Sequence, residues 1–395
     1  MEKRSDRMDL MMRFDFALPT RIEYGPKCGS EPGRYLDELG VTRVLVVTDA
    51  GIRQAGLLDP VEESLSREER TWSVFDAVSP NPRDEEVERA SEAARAFGAD
   101  GLLAVGGGSV LDCAKAASIL IVQGGKTREY EDRDRIGVDV LPMVAVPTTA
   151  GSGSEVTFGA VITDASNHDK FSVKSPRIAP RIALVDPEMT LSMPPGLTAA
   201  TGMDALTHAI EGYTATSANV ISDAAALRAV SLIVRHLVQA VHHGDDLEAR
   251  AGMLLGSVLA GIAFSHSDVG AVHCLAESMG GLYDAPHGAC NAVVLPEMMQ
   301  HNRSACPERY AEIAAAMGLS FADTNRGAKE AVAYVRRLAK KVRLPGIREL
   351  GLHDEDFEDL ARRSVRNGSN GSNPRPMAEE DYLQVLRRLA GEERD

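Results

Sequence analysis

Two residues on one predicted helix have the types and the spacing of metal ligands. Asp204 and His208 are four positions apart in residues 201–213, where apolar residues recur at helical spacing. Residues four apart share one face of a helix, so both side chains can reach a single cation. Further along the chain, His273 and His287 lie on either side of a glycine-rich stretch. One carboxylate and three imidazoles form a ligand set suited to Zn²⁺ or Fe²⁺, with a position left for a substrate oxygen.

Each part of this pattern also has an ordinary explanation. An Asp and a His at this spacing can form a salt bridge on a helix surface, and a single histidine is more often structural than metal-binding. The metal-site hypothesis therefore depends on whether the same chain carries a second group of residues with related chemistry.

A glycine-rich loop that follows a short apolar run supplies such a group. Residues 102–105 are typical of a buried strand, and a helix is predicted to begin at Ser109. Glycines let backbone N–H groups approach an anion, and a helix N-terminus adds partial positive charge, so a diphosphate fits here. The candidate cofactor-binding residues of this segment are Gly106, Gly107, Gly108, Ser109 and Asp112.

The glycine loop alone is not specific. A tight turn without a ligand explains it as well, and the segment has neither G-x-G-x-x-G nor the Walker A lysine pattern. Ser109 is also expected to cap the following helix, with Asp112 closing a capping box.

Two further strand ends carry polar residues that could contact a nucleotide. Thr148, Thr149 and Ser152 follow the predicted strand 142–146, and ligands of open α/β sheets bind at the carboxyl ends of strands. Asp49 ends the predicted strand 44–48, where a carboxylate can bind a ribose 2′-hydroxyl and repel a 2′-phosphate, which favours NAD over NADP. An ordinary Ser/Thr/Gly-rich connection and a helix cap are the alternative interpretations of these two sites.

The elements that must position these residues form two different patterns. Between about residues 40 and 190, short β-branched runs alternate with amphipathic segments, which predicts a parallel sheet with covering helices. Predicted helices near 61–70 and 85–97 alternate with strands such as 71–75. After Pro194-Pro195 the chain has helical periodicity and almost no strand-like alternation. We therefore predict an α/β dinucleotide-binding domain at residues 1–194 and an all-helical metal-binding, catalytic domain at 195–395.

Composition excludes several classes of function. The chain has 395 residues and 58 acidic against 43 basic side chains, a net charge of −15 that disfavours nucleic acid as a partner. Its five cysteines never occur as C-x-x-C, so we expect reduced, mostly buried thiols. No apolar run approaches the roughly 20 residues that cross a bilayer, so no membrane is expected. Residues 1–15 lack a signal-peptide pattern, so we expect them to form a loose extension. The cytoplasm is then the default compartment.

Five segments of the chain resemble the iron-containing (type III) alcohol dehydrogenases: GGGSVLDCAK, VPTTAGSGSEVT, ALVDPEMT, GMDALTHAIEGY and PHGACNAVVLP. The resemblance extends from about Phe16 to the C-terminus. It implies a Rossmann-like α/β domain and a helical domain in a dehydroquinate synthase-like architecture, with NAD(P)H beside a divalent metal, Fe²⁺ or Zn²⁺. Asp49 favours NAD(H) as the cofactor, and a homodimer is the expected assembly. By the same resemblance Asp204, His208, His273 and His287 are the metal ligands, and Lys170 joins the cofactor contacts.

The chain departs from the family pattern at two positions. Glu277 stands where the family commonly has a second histidine four residues after the third metal ligand, and His266 stands where an Asn often follows Phe-Ser. We hypothesise that Glu277 lines the substrate pocket, with a fifth-ligand role as the alternative, and that His266 replaces a lost proton shuttle. The candidate catalytic residues are therefore His273, Glu277 and His266.

The predicted function is a metal-dependent, NAD(H)-linked alcohol dehydrogenase or aldehyde reductase that acts on a small alcohol or aldehyde. Within the same fold, the alternatives are a dehydroquinate-synthase-like cyclase, a glycerol-type or hydroxy-acid dehydrogenase, and a reductase of functionalised aldehydes such as phosphonoacetaldehyde or lactaldehyde. A silent nucleotide- or metal-binding protein is the alternative outside enzymes.

Overall fold

The structure is a computed structural model that describes residues 12–131 and 135–392. Most of the N-terminal extension expected at residues 1–15 therefore lies outside the described residues. The described chain divides into two compact units. One contains the residues up to Ala17, Pro194–Gly244 and the residues from Leu255 onward; the other contains Leu18–Met193 and Asp245–Leu254.

The unit that contains Leu18–Met193 is built on a six-stranded sheet in which every neighbouring pair is parallel. Its strands are β1 (Arg21–Tyr24), β2 (Arg43–Val47), β3 (Thr71–Phe75), β4 (Gly101–Gly106), β5 (Met143–Pro147) and β8 (Ile182–Val185). Their order across the sheet is β1-β8-β5-β4-β2-β3. A separate antiparallel hairpin pairs β6 (Gly159–Thr163) with β7 (Lys170–Lys174).

Helices cover both faces of the sheet, because the residues of its central strands alternate between two apolar cores. Leu45 and Val47 of β2 belong to one core cluster, and Val44 and Val46 belong to the other. The helices of this unit are α1 (Pro32–Glu38), α2 (Ala50–Gln54), α3 (Asp59–Arg67), α4 (Asp84–Phe97) and α5 (Gly108–Gln123). Strands buried on both faces are typical of parallel α/β sheets, and the predicted fold class of this part is confirmed.

The described residues of the other unit contain helices and no strand, which confirms the predicted helical C-terminal part. Its helices are α6 (Pro195–Thr214), α7 (Val220–His242), α8 (Leu247–Ser265), α9 (Ala271–Tyr283), α10 (His287–Asn302), α11 (Pro307–Ala316), α12 (Thr324–Lys341), α13 (Phe357–Arg366) and α14 (Glu379–Glu392). The first residues of α8 are counted with the sheet unit.

Two of these helices, α7 and α8, are long and apolar enough to cross a membrane by length and composition alone. The core helices of soluble proteins pass the same test, and 61% of the apolar window of α8 is buried inside the protein, against 39% for α7. Their composition is therefore weak evidence for a membrane.

The start of α5 differs from the sequence expectation. Its N-cap is Gly107, which has no side chain, so Ser109 lies inside the first turn and the predicted Ser109 cap with an Asp112 capping box is wrong. The thiol prediction agrees with the structure: all five cysteines are free, and Cys28 alone among them is not fully buried.

Candidate functional site

Four side chains of the helical unit converge, although they come from three helices. Asp204 and His208 lie on α6, His273 lies on α9, and His287 is the first residue of α10. One potential ligand atom from each of the four lies within 4.8 Å of all the others. The structure therefore brings together the whole ligand set that the sequence analysis selected.

A close approach of two helix backbones places His287 beside Asp204. A Cβ atom on Gly288 would lie 2.5 Å from the carbonyl oxygen of Ala200 in α6, a distance that real side chains do not adopt. Glycine therefore allows the start of α10 to meet α6, and Nε2 of His287 lies 3.7 Å from Oδ1 of Asp204.

The four side chains differ in exposure, which gives the cluster an open side. The side chain of His287 is 29% exposed, whereas those of Asp204 and His273 are 7% and 4% exposed. The ring of His208 is held by stacking on Phe264, with 4.3 Å between the ring centroids. A substrate atom would therefore approach this cluster most easily beside His287.

The charges in the cluster favour an ionised carboxylate. Burial acts to raise the pKa of Asp204, but the three neighbouring imidazoles and a hydrogen bond from Asn291 together outweigh it and lower that pKa. A buried anion with three potential imidazole ligands is a donor set that fits a divalent transition metal.

Two polar residues that the sequence analysis did not select hold this cluster. Asn291 donates from Nδ2 to Oδ1 of Asp204 at 2.6 Å, and the same nitrogen lies 3.2 Å from Nε2 of both His273 and His287. Glu211 accepts from the ring of His273. Their spacing was a usable signal, because Glu211 follows His208 by three residues and Asn291 follows His287 by four.

Glu277 lies one turn after His273 on α9. Burial acts to lower the pKa of His273, but the hydrogen bond and charge of Glu211, with smaller effects of the Asp204 and Glu277 charges, raise it. Glu277 is not one of the four clustered residues. Its Oε2 instead accepts a 2.6 Å hydrogen bond from Nδ2 of Asn367, in the polar loop that precedes Pro374. No Lys or Arg of the described chain forms an ion pair with this carboxylate.

His266 is held by the backbone at the end of α8. Its Nδ1 lies 2.8 Å from the carbonyl oxygen of Ile262, and its Nε2 lies 2.9 Å from that of Ala17. The ring also stacks on Phe16, with 3.9 Å between the centroids. These contacts connect His266 with the described start of the chain.

In the sheet unit, the two predicted nucleotide loops touch each other at the carboxyl ends of β4 and β5. A Cβ atom on Gly108 would lie 2.7 Å from Oγ of Ser152, and one on Gly107 would lie 3.1 Å from the side chain of Thr149. Oγ1 of Thr148 is buried and has no hydrogen-bond partner among the described residues. A tight backbone cradle with an unsatisfied hydroxyl fits a phosphate-containing ligand.

Asp112 stabilises this cradle through hydrogen bonds to the chain that follows β5. Its carboxylate accepts from Oγ of Ser154 at 2.6 Å and from the backbone N–H of Val161 at 2.9 Å. Lys115, one turn later on α5 and fully buried, donates to Oγ of Ser154 at 2.7 Å. Burial lowers the pKa of Lys115 to about 8. Asp112 and Lys115 therefore hold the loop that follows β5 against α5, the helix that begins at the glycine loop.

The other two predicted cofactor contacts lie at strand ends. Oδ1 of Asp49 caps α2 by accepting from the backbone N–H of Ile52 at 3.0 Å, so the helix-cap interpretation describes one of its two oxygens. Lys170 begins β7 and donates to Oδ1 of Asn81 at 2.6 Å.

The chain combines a doubly covered parallel sheet that carries a phosphate cradle with a buried cluster of one carboxylate and three imidazoles. This combination defines a class of protein, the metal-dependent oxidoreductases that use a nucleotide. Comparison with known proteins gives the family within this class. Residues 19–187 match the model of the iron-containing alcohol dehydrogenases, and residues 198–390 match that of the C-terminal part of the Fe-containing alcohol dehydrogenase family.

Individual proteins are similar over nearly the whole chain. The choline dehydrogenase of Bacillus subtilis is 37% identical over 97% of this chain and 96% of its own length. The NAD-dependent methanol dehydrogenase of Bacillus methanolicus is 36% identical over 94% of this chain and 99% of its own length. The crystal structure of a 1,3-propanediol oxidoreductase superimposes with a TM-score of 0.93, at 38% identity, over 96% of this chain and 100% of that one.

The chain belongs to the iron-containing alcohol dehydrogenase family. The predicted resemblance and the predicted class of enzyme, a metal-dependent alcohol dehydrogenase or aldehyde reductase acting on CH–OH donors, are thereby confirmed.

Proposed function

We propose that this enzyme binds one Fe²⁺ ion, or Zn²⁺ in its place, through Asp204, His208, His273 and His287. The observation that carries this proposal is the convergence of four buried or half-buried ligand atoms within 4.8 Å. Three imidazoles and one carboxylate complete four positions and leave room for a substrate oxygen. A metal bound there supplies Lewis-acid polarisation of an alcohol or carbonyl oxygen.

We further propose that NAD(H) is the hydride carrier and that it binds to the loops of the sheet unit. Backbone N–H groups of Gly107, Gly108 and Ser109 would hold the diphosphate at the start of α5, with the hydroxyls of Thr148 and Thr149 beside it. The second oxygen of Asp49 would accept from the ribose 2′-hydroxyl while the first caps α2. Lys170 adds positive charge at the start of β7. The name of the NAD-dependent relative supports this choice of cofactor.

The metal assignment is tested with His287→Ala. Loss of one imidazole removes a ligand from the open side of the cluster, so we expect turnover to fall by at least a hundredfold and bound metal to be lost, while NADH still binds. Metal content, NADH fluorescence titration and steady-state rates are the measurements. His242→Ala, at an exposed histidine that ends α7, is the matched control. Full activity in the His287 variant would disprove the ligand assignment.

We infer that Glu277 lines the substrate pocket and favours alcohols that carry a positive charge. Glu277 lies one turn after His273 on α9, and Asn367 orients its carboxylate without neutralising the charge. A carboxylate close to the reacting group attracts a cationic substituent. The similarity to a choline dehydrogenase, whose name specifies a cationic alcohol, supports this inference. For His266 we infer an anchoring role, because both of its ring nitrogens face backbone carbonyls.

Glu277→Gln tests this assignment, because it keeps the shape and removes the charge. We expect the ratio of kcat/KM for choline over that for 1,3-propanediol to fall roughly tenfold, with metal content unchanged. Loss of metal would instead support the fifth-ligand alternative, and an unchanged ratio would exclude the charge effect. His266→Ala belongs in the same series: an anchor leaves the pH profile of kcat unchanged, and a proton shuttle does not.

The implied homodimer and the cytoplasmic location remain part of this proposal. They are supported by the family resemblance. Light scattering of the purified enzyme measures its oligomeric state directly.

A further inference from the structure

Glu211 is a buried carboxylate that contacts one of the proposed metal ligands but is not itself a member of the cluster. It lies on α6, three residues after His208, and is 3% exposed. Its Oε2 lies 2.6 Å from Nδ1 of His273. A carboxylate at this distance accepts a hydrogen bond from Nδ1–H, which determines which nitrogen of the imidazole carries hydrogen.

The opposite ring nitrogen faces the cluster. Nε2 of His273 lies 3.2 Å from the same Asn291 nitrogen that donates to Asp204. With the proton held on Nδ1, the lone pair of Nε2 is available to a metal on that side. The partner of Nδ1 therefore decides whether His273 can serve as a ligand.

Glu211 also holds the helix that carries His273. The N-cap of α9 is Gly270, which has no side chain to satisfy the first N–H groups. Oε1 of Glu211 accepts from the backbone N–H of Val272 at 2.7 Å and so replaces the side chain that the N-cap residue lacks. A Cβ atom on Gly270 would lie 3.0 Å from that oxygen, so glycine leaves room for the carboxylate.

We propose that Glu211 is the positioning residue of the metal centre, which fixes the tautomer and the orientation of His273 and ties α9 to the helix that carries Asp204 and His208. This inference rests on the proposed metal site and adds to it a residue that binds no metal. Loss of such a partner reduces metal affinity by about 10- to 100-fold in comparable sites.

Glu211→Gln is the informative variant, because an amide can donate to Nδ1 and so move the ring proton to Nε2. We expect the dissociation constant for Co²⁺, measured by competition with a chelator, to rise at least tenfold, with a changed ligand-field absorption spectrum. Glu211→Asp keeps the charge but shortens the reach, so it should also lose affinity; a wild-type affinity for Co²⁺ in this variant would overturn the positioning role.

The matched control is Glu297→Gln, at a second buried carboxylate of the same unit, which pairs with Arg336 and Arg388 and not with any of the four ligands. It should lower the melting temperature and leave the Co²⁺ affinity unchanged. An equal loss of affinity in both variants, or a Glu211→Gln protein that binds Co²⁺ as the wild type does, would overturn the inference.

Two further results separate this inference from the proposal on which it rests. A wild-type protein that binds no divalent metal would refute the metal site itself. If Glu211→Gln does not fold, Gly270→Ala decides the question. This variant keeps the glutamate at position 211, but its added methyl group would displace the carboxylate of Glu211 and Oδ1 of Asn373. Weakened Co²⁺ binding supports the inference, and unchanged binding overturns it.

Discussion

Asp49 illustrates how one side chain can serve a helix and a ligand at once. One of its oxygens caps α2, and we assign the other to the ribose of NAD(H). The two alternatives that the sequence left open, a helix cap and a ribose contact, therefore do not exclude each other, because a carboxylate has two acceptor atoms.

Replacing Asp49 with Asn separates these two functions. Asn is as good an N-cap as Asp, so α2 and the melting temperature should be preserved while the charge that repels a 2′-phosphate is lost. We expect kcat/KM for NADPH to rise about tenfold relative to that for NADH, measured by steady-state kinetics with a single aldehyde. An unchanged cofactor preference would remove Asp49 from the nucleotide site.

The four clustered residues could be selected from the sequence because each is a strong ligand type in a helical or glycine-rich context. Glu211 and Asn291 were not selected: helical spacing places them on the same faces as His208 and His287, but their contacts with the cluster depend on the facing helix, which the sequence does not show. Asp112 was selected for a role at the helix N-terminus, but its hydrogen bonds to Ser154 and Val161 depend on loop contacts that spacing does not reveal.

At the scale of elements, four strands of the parallel sheet were predicted from their apolar runs, and the other strands were not. The observed β3 coincides with the predicted strand 71–75, and the observed α4 begins one residue before the predicted helix. The edge strand β1, the buried strand β8 and the hairpin of β6 and β7 were missed. Strand β1 is exposed at its two ends, so its sequence lacks a continuous buried run.

The contact between the two nucleotide loops gives a prediction for Gly108→Ala. The added methyl group would lie 2.7 Å from Oγ of Ser152 and must displace the second loop. We expect the dissociation constant for NADH to rise about tenfold, equivalent to about 1.4 kcal/mol, with metal binding unchanged.

Gly196→Ala is the control for this variant, because it also adds a methyl group near a helix start but meets nothing within 4 Å. Fluorescence titration of NADH measures both variants. If Gly108→Ala binds NADH as tightly as Gly196→Ala does, the loop contact is not part of the cofactor site.

At the scale of the whole molecule, the proposed metal and the proposed cofactor belong to different compact units. A ligand that binds only the folded state stabilises it by about 2.7 kcal/mol at a hundredfold excess over its dissociation constant. We therefore expect chelation of the metal to lower the thermal stability of the helical unit, and NADH to raise that of the sheet unit.

Calorimetry with and without EDTA, and with and without NADH, measures these shifts. The His287→Ala protein should respond to NADH and not to EDTA. A wild-type protein whose thermal transitions are indifferent to EDTA would contradict the metal site at this scale.

The sheet unit is discontinuous in sequence, since Asp245–Leu254 belongs to it and Arg250 donates to the carbonyl oxygen of Met193 at 3.0 Å. In a chimera whose residues before 194 come from a relative, Arg250 would come from one parent and the carbonyl group at position 193 from the other. Recombination designs that transfer the nucleotide-binding half between family members should include a second crossover around this ten-residue insertion.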